Sequence, residues 1–184
     1  MHSIGFYRNS NEELCIQGIS VCDLAKKYGT PLFIYDSGLM KERYYAFLDA
    51  VANVNGNIHY AVKANDALAI VNYFTKLGCG ADIVSIGEFE KCIAAGMSPQ
   101  KIIFSGVGKE NSEIEIALKN NILQFNIESE EELEDIYKVA SKLKLTANIC
   151  LRVNPNIAPN THKKISTGEK ETKFGIDFKD VNSI

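Results

Sequence analysis

The sequence predicts an α/β fold built on a parallel sheet, the class that includes open sheets and (β/α) barrels. One observation is a repeat of apolar strand-like and helix-like runs that begins at Asn57, with successive strands about 20 to 25 residues apart. Another is a pair of Ser-x-x-Glu helix starts, one from Ser85 to Glu88 and one from Ser129 to Glu132. The composition, 46% hydrophobic and 23% charged over 184 residues, indicates a globular chain with a real core.

The repeat accounts for most of the chain. Strands are predicted at 58–62, 80–84, 101–105, 123–127 and 147–153, with helices at about 66–77, 86–95, 111–120 and 129–143. A closed eight-stranded barrel takes roughly 200 residues or more. A barrel built from this repeat would therefore be partial, with about five of eight strands, and its open edges would favour association of the isolated chain.

A separate N-terminal piece is predicted for residues 1–36, and residues 37–184 are assigned to the incomplete barrel. The predicted elements are strands at 6–7 and 14–19, a helix capped by Ser20 and Asp23 and ended by Gly29, a strand at 32–35 and an amphipathic helix at 39–54.

Charge and composition exclude several classes of partner. A formal net charge of -3 with scattered Lys and Arg gives no basic field, so no nucleic-acid partner is expected. No apolar run approaches the roughly 18 residues of a membrane span, and the N-terminus opens no signal peptide, so we expect a cytoplasmic protein with no membrane partner.

The five cysteines form an odd set without a Cys-x-x-Cys pair. The pattern predicts neither a disulfide framework nor a zinc site, and no metal is expected. Each cysteine is interpreted as a small buried apolar residue.

Lys63 is the residue that a parallel sheet would place at a ligand mouth. It closes the apolar run at 58–62, and the carboxyl ends of parallel strands are where α/β folds build their active sites. By position alone a lysine there is more often a solvent-exposed side chain. A nucleophilic role requires an environment that makes the amine usable near neutral pH, such as burial beside cationic or polar groups.

The motif around this lysine is specific. Tyr60-Ala61-Val62-Lys63-Ala64-Asn65 resembles the cofactor-lysine motif of the pyridoxal-phosphate decarboxylases with an alanine-racemase-like barrel, and the likeness extends over about residues 30–177. The resemblance implies a pyridoxal-phosphate-binding (β/α)8 barrel in which Lys63 forms a Schiff base with pyridoxal 5'-phosphate. It also implies a homodimer, and a C-terminal β domain beyond Ile184 against which residues 1–36 would pack.

Three further residues gain roles from the resemblance. Asp82 matches an acidic residue beside the cofactor lysine; the alternative is a strand end that faces water. Arg152 matches an arginine at the cofactor; the alternative is a structural ion pair with a strand-end carboxylate. Glu88 is a weaker cofactor candidate, because the cap with Ser85 already explains it and this chain has Ile86-Gly87 where the family pattern has two glycines.

The stretch that contains His162, Ser166 and Thr167 resembles the part of the family most particular to the diaminopimelate decarboxylases. It leads to Lys173-Phe174-Gly175 and implies a substrate loop. The expected activity is decarboxylation of the amino acid meso-2,6-diaminopimelate to L-lysine and carbon dioxide, the last step of lysine biosynthesis. The alternatives are another basic substrate, of the ornithine or arginine type, and a non-catalytic fragment.

Two further expectations follow. Ser105-Gly106-Val107-Gly108-Lys109 looks like a phosphate-binding loop but lacks the P-loop spacing, so it is interpreted as a strand-to-helix turn. The isolated chain is expected to be inactive, because the groups that hold the cofactor phosphate and the pyridine nitrogen should lie beyond Ile184.

Overall fold

The computed structural model describes residues 5–54, 56–155, 174–182 and 184. The chain divides into two compact units, Met1–Asn57 and Ile58–Ile184. No helix among the described residues is long and apolar enough to span a membrane.

The first unit contains a small antiparallel sheet and two helices. Its elements are β1 (Phe6–Arg8), β2 (Leu14–Ile16), β3 (Ile19–Ser20), α1 (Val21–Tyr28) and α2 (Ser37–Ala50), and the strand order is β1-β2-β3. The predicted strand at 14–19 is therefore two strands. Gln17 and Gly18 both adopt a positive φ, which turns the chain back on itself between β2 and β3.

Two further predictions for this unit were wrong. Residues 32–35 are large apolar and aromatic residues, but no described strand pairs with them and they form no strand. A strand needs a neighbour for its backbone groups, and residue preference alone does not supply one. Ser20 is the N-cap residue of α1 as expected, yet its side chain makes no capping hydrogen bond.

The buried Asp36 joins the parts of the first unit. Its carboxylate caps α2 by accepting from the backbone N–H groups of Gly38 and Leu39, and it also accepts from Gly5 N at 2.7 Å and Gln17 Nε2 at 2.8 Å. These contacts connect α2 to the N-terminal strands, whereas the sequence-based boundary fell between residues 36 and 37. Burial alone would raise the pKa of Asp36, but these hydrogen bonds hold it below its usual value.

The second unit contains a five-stranded parallel sheet in the order β4-β5-β6-β7-β8, which confirms the predicted fold class. The strands are β4 (His59–Ala61), β5 (Gly80–Ile83), β6 (Ile102–Phe104), β7 (Gln124–Ile127) and β8 (Ile149–Leu151). The helices between them are α3 (Leu68–Leu77), α4 (Ile86–Ala94), α5 (Asn111–Lys119) and α6 (Glu130–Leu143). Every element predicted from the repeat is present.

The last predicted strand, 147–153, is broken at Arg152. Beyond β8 the chain forms β9 (Val153–Asn154), which pairs in parallel with β10 (Ile176–Asp177) in a separate two-stranded sheet.

Side chains alternate along the central strands, so the two faces of the sheet differ. One face is buried in the core with the helices and carries Ala81, Ile83, Ile102, Phe104, Phe125 and Ile127. The opposite face carries Asp82, Ile103, Gln124 and Asn126, which are all partly exposed. This pattern places three polar side chains, those of Asp82, Gln124 and Asn126, on the side of the sheet away from the core.

The cysteines only partly follow the prediction. Cys15, Cys79 and Cys92 are buried, but Cys22 and Cys150 are exposed. Cys22 lies on an exposed turn of α1 and Cys150 on strand β8, which borders only β7 in the described sheet. Burial, reinforced by the nearby Glu88 carboxylate, raises the pKa of the Cys92 thiol to about 11.

Candidate active site

Lys63, Asp82 and Arg152 line one cavity of about 550 Å³. Each of the three comes from a different part of the sheet: Lys63 follows β4, Asp82 lies on β5, and Arg152 follows β8. The remaining lining residues are Val84, Ser105, Gly106, Val107, Asn126 and Phe174. The cavity therefore opens at the carboxyl ends of the strands, where ligand sites of parallel sheets are found, and its volume is that of a small-molecule site.

The backbone around Lys63 is anchored on both sides. Strand β4 ends at Ala61, and Val62–Ala64 form a single 3-10 turn in which Val62 is fully buried. Just before this turn, the Tyr60 hydroxyl donates to Asn65 O at 3.0 Å and its ring stacks on Phe74. Lys63 itself is exposed and lines the cavity.

Asp82 lies at the end of a hydrogen-bond relay that crosses three strands. Gln124 Nε2 donates to Asn126 Oδ1 at 2.9 Å, Asn126 Nδ2 donates to Ser105 Oγ at 2.8 Å, and the Ser105 hydroxyl donates to Asp82 Oδ1. Asp82 is therefore half-buried and held from one side, unlike a strand end in water. Sequence reasoning missed Ser105 and Asn126, although the alternation of Gln124 and Asn126 with apolar residues within β7 was a usable signal.

Arg152 is held between two side chains. Its Nη1 donates to Glu128 Oε1 at 2.7 Å, and its Cζ lies 5.3 Å from the centre of the Phe174 ring. Glu128 follows β7 and is only 5% exposed. The ion pair named as the alternative is thus present, and Arg152 nevertheless lines the cavity. The sequence signal for Glu128 was an acidic residue directly after a buried strand.

The other candidates fall elsewhere. Glu88 is not among the cavity-lining residues: its Oε2 accepts from Val84 N at 2.8 Å, while Ser85 Oγ accepts from Glu88 N at 3.3 Å. These contacts support the capping alternative. His162, Ser166 and Thr167 lie outside the described residues.

Residues 105–109 form the turn between β6 and α5, in agreement with the sequence interpretation. Lys109 points inward, where its Nζ donates to Gly106 O at 2.7 Å, to Asn126 O at 3.0 Å and to the Glu132 carboxylate. All three donors of this ammonium group are used. Lys109 is therefore a structural cation, and it does not serve as a phosphate ligand in this arrangement.

Comparison with known proteins places this geometry in a class. Residues 37–184 match the family model for the pyridoxal binding domain of the pyridoxal-dependent decarboxylases, and the chain belongs to that family.

Particular relatives narrow the class further. The chain is 44% identical to a Vibrio cholerae diaminopimelate decarboxylase over 94% of its own length and 42% of that protein. It is similar to the crystal structure of diaminopimelate decarboxylase from Helicobacter pylori complexed with L-lysine, with 43% identity, a TM-score of 0.84 and coverage of 88% and 41% of the two chains.

The chain is also similar to a second solved diaminopimelate decarboxylase. The diaminopimelate decarboxylase from M. jannaschii in co-complex with L-lysine is 38% identical, with a TM-score of 0.86 and coverage of 95% and 42%. The chain thus spans about two fifths of the length of the relatives it matches.

The residues at the cavity fit pyridoxal phosphate. A primary amine and a guanidinium face one space, and they suit the aldehyde and an anionic oxygen of such a ligand, respectively. The second oxygen of Glu128, Oε2, is buried and lacks a hydrogen-bond partner among the described residues, beside the arginine that lines the cavity.

Proposed function

We propose that this chain provides the cofactor site of an enzyme that removes carbon dioxide from meso-2,6-diaminopimelate and yields L-lysine, with pyridoxal 5'-phosphate as cofactor. The observation that carries the proposal is the convergence of Lys63, Asp82 and Arg152 on one cavity from separate strands. The substrate assignment is supported by relatives at 42 to 46% identity that are diaminopimelate decarboxylases.

The bound cofactor would take up the electron pair that remains on carbon when carbon dioxide departs. Lys63 is the only lysine that lines the cavity in the described part of the chain, and its amine would attach to the cofactor aldehyde. Arg152 offers a cation to an anionic oxygen. The Ser105 hydroxyl orients Asp82 by occupying its Oδ1, so that the carboxylate keeps a fixed direction in the cavity wall.

The architecture and assembly of the whole protein belong to the same proposal. The five parallel strands in sequential order would form part of a (β/α)8 barrel, and the whole protein would act in the cytoplasm as a homodimer on a free amino acid. Support comes from the resemblance and from solved diaminopimelate decarboxylases with TM-scores of 0.84 to 0.86.

The cofactor assignment is tested by trapping. The chain is incubated with pyridoxal 5'-phosphate, reduced with borohydride, digested and mapped by mass spectrometry. We expect the label on Lys63 and its loss in Lys63→Arg. Lys101→Arg, an exposed lysine outside the cavity, is the matched control and should leave labelling unchanged. A label on another lysine, with Lys63 unmodified, would contradict the assignment.

The substrate assignment is tested on the full-length protein. Carbon dioxide release is compared for meso-diaminopimelate, ornithine and arginine at equal concentrations. We expect meso-diaminopimelate to be preferred in kcat/KM. Preference for ornithine or arginine would replace the proposed substrate with the alternative and leave the cofactor assignment intact.

A further inference from the structure

We infer that Phe174 and Gly175 are positioning residues that fix the direction of the Arg152 guanidinium in the cavity wall. The inference rests on the proposed function for the assignment of Arg152 to the cofactor site. It gives a physical role to the Phe-Gly pair of the Lys173-Phe174-Gly175 motif.

Phe174 places its ring against the guanidinium of Arg152. The distance of 5.3 Å from Arg152 Cζ to the ring centre is within the roughly 6 Å range of a cation–π contact. Glu128 Oε1 accepts from Nη1 and holds one edge of the same group. A guanidinium is planar with five N–H donors in a fixed fork, so the ring contact and the hydrogen bond to Glu128 together set the direction of the other donors.

Gly175 brings Phe174 to that place. It has a φ of +83°, and a Cβ there would lie 2.8 Å from Arg152 O and 3.2 Å from Asn154 N. The next residue, Ile176, donates its N–H to the same Arg152 O at 2.8 Å and pairs with Val153. Any side chain at position 175 would strain the backbone and push β10 away from β9.

If Phe174 had only a structural role, its substitution would have a different effect. Phe174 is 36% exposed, so its ring contributes less to the core than a fully buried phenylalanine. If the ring only stabilised the fold, its removal would lower the stability of the second unit as a whole. If it positions Arg152, its removal changes Arg152 specifically.

The test measures the reactivity of Arg152 with phenylglyoxal by peptide mapping, which needs no cofactor. In Phe174→Leu the apolar contact remains but the ring is lost, and we expect Arg152 to react roughly two- to fivefold faster, the size of an exposed cation–π contact. Phe174→Tyr should retain protection. Phe178→Leu, which alters an aromatic that is 74% exposed and outside the cavity, is the matched control.

Arg8 and Arg43 in the first unit are internal references. We expect Gly175→Ala to expose Arg152 as Phe174→Leu does, with no change at the references. Equal Arg152 rates in the wild type and Phe174→Leu would overturn the inference. A faster reaction of Arg152 in Phe174→Leu would also contradict the inference if the melting temperature of the second unit fell as well and was equally low in Phe174→Tyr.

Cofactor affinity gives the second measurement. Titration of the full-length protein with pyridoxal 5'-phosphate, followed by absorbance, should show affinity reduced by a similar factor in Phe174→Leu and retained in Phe174→Tyr. If the full-length wild type takes up no cofactor, the proposed function fails, while the phenylglyoxal rates still decide the role of Phe174 and Gly175.

Discussion

Lys109 and Glu132 form a buried ion pair, with side chains only 1% and 9% exposed. The ammonium also binds the carbonyls of Gly106 and Asn126, and the second oxygen of Glu132 accepts from Glu128 N at 2.6 Å. One cation therefore joins the turn after β6, the end of β7 and the start of α6. These are the segments that carry Ser105, Asn126 and the partner of Arg152.

We expect Lys109→Met to destabilise the chain strongly. Methionine keeps much of the apolar stem but leaves Glu132 buried without its cation, and breaking a buried pair in this way costs about 3 to 5 kcal/mol. Urea unfolding measures the change. Lys119→Met is the matched control, because its solvent-exposed pair with Glu115 contributes little to stability. Similar losses of unfolding free energy in the two variants would show that the buried Lys109–Glu132 pair stabilises the chain no more than an exposed pair does.

A double variant tests whether the loss of stability in Lys109→Met comes from the unpaired charge of Glu132. Lys109→Met/Glu132→Gln removes the stranded carboxylate charge and should recover part of the lost stability. Full additivity of the two single changes would contradict a direct interaction.

Ser105→Ala tests the relay that ends at Asp82. The change removes the hydroxyl that Asp82 accepts and that Asn126 donates to, so about 1 kcal/mol of stability should be lost. We also expect weaker binding of pyridoxal 5'-phosphate, because Asp82 is then free to turn. Ser112→Ala, on the exposed surface of α5, is the control for loss of a hydroxyl. Unchanged cofactor affinity in Ser105→Ala would show that Asp82 needs no such support.

The repeat in the second unit was predictable because its signals are local. Helical periodicity, strand-like apolar runs and the serines at positions 85 and 129 lie within short windows of sequence. Lys63 could also be named from the sequence, because the carboxyl ends of parallel strands lie along one edge of the sheet, where ligand sites are found. The prediction of a strand at 32–35 was wrong for the opposite reason, since strand formation depends on a partner strand that the local sequence does not specify.

The contacts of the site depend on register between strands, which the sequence does not give. Asp82 meets Ser105 because Ile83 on β5 pairs with Phe104 on β6, and Arg152 reaches Glu128 because Leu151 pairs with Ile127. A shift of one residue would turn each of these side chains to the other face. Candidate residues could therefore be named from the sequence, but their partners required the fold.

Arg152→Ala is expected to affect both stability and cofactor binding. The loss of the guanidinium leaves Glu128 buried without its donor, which costs about 1 to 3 kcal/mol. Arg152→Ala/Glu128→Gln removes the unpaired charge, so stability should partly return while cofactor affinity stays low. Thermal melting of the cofactor-free chain and titration with pyridoxal 5'-phosphate measure the two effects. Recovery of affinity in the double variant would mean that Arg152 acts only through the ion pair.

Asp36 should make the stability of the first unit depend on acidity. Hydrogen bonds to its carboxylate lower its pKa in the folded chain below the unfolded value, which is about 3.9. This stabilisation is fully present above the unfolded pKa and is lost as the pH falls through the folded pKa. Asp36→Asn keeps an oxygen for the α2 cap but has no charge to lose. Unfolding free energies from pH 7 to pH 2 should therefore show Asp36→Asn less stable near neutrality, with the gap narrowing below about pH 4. A constant difference across that range would mean that the carboxylate charge contributes nothing to the fold.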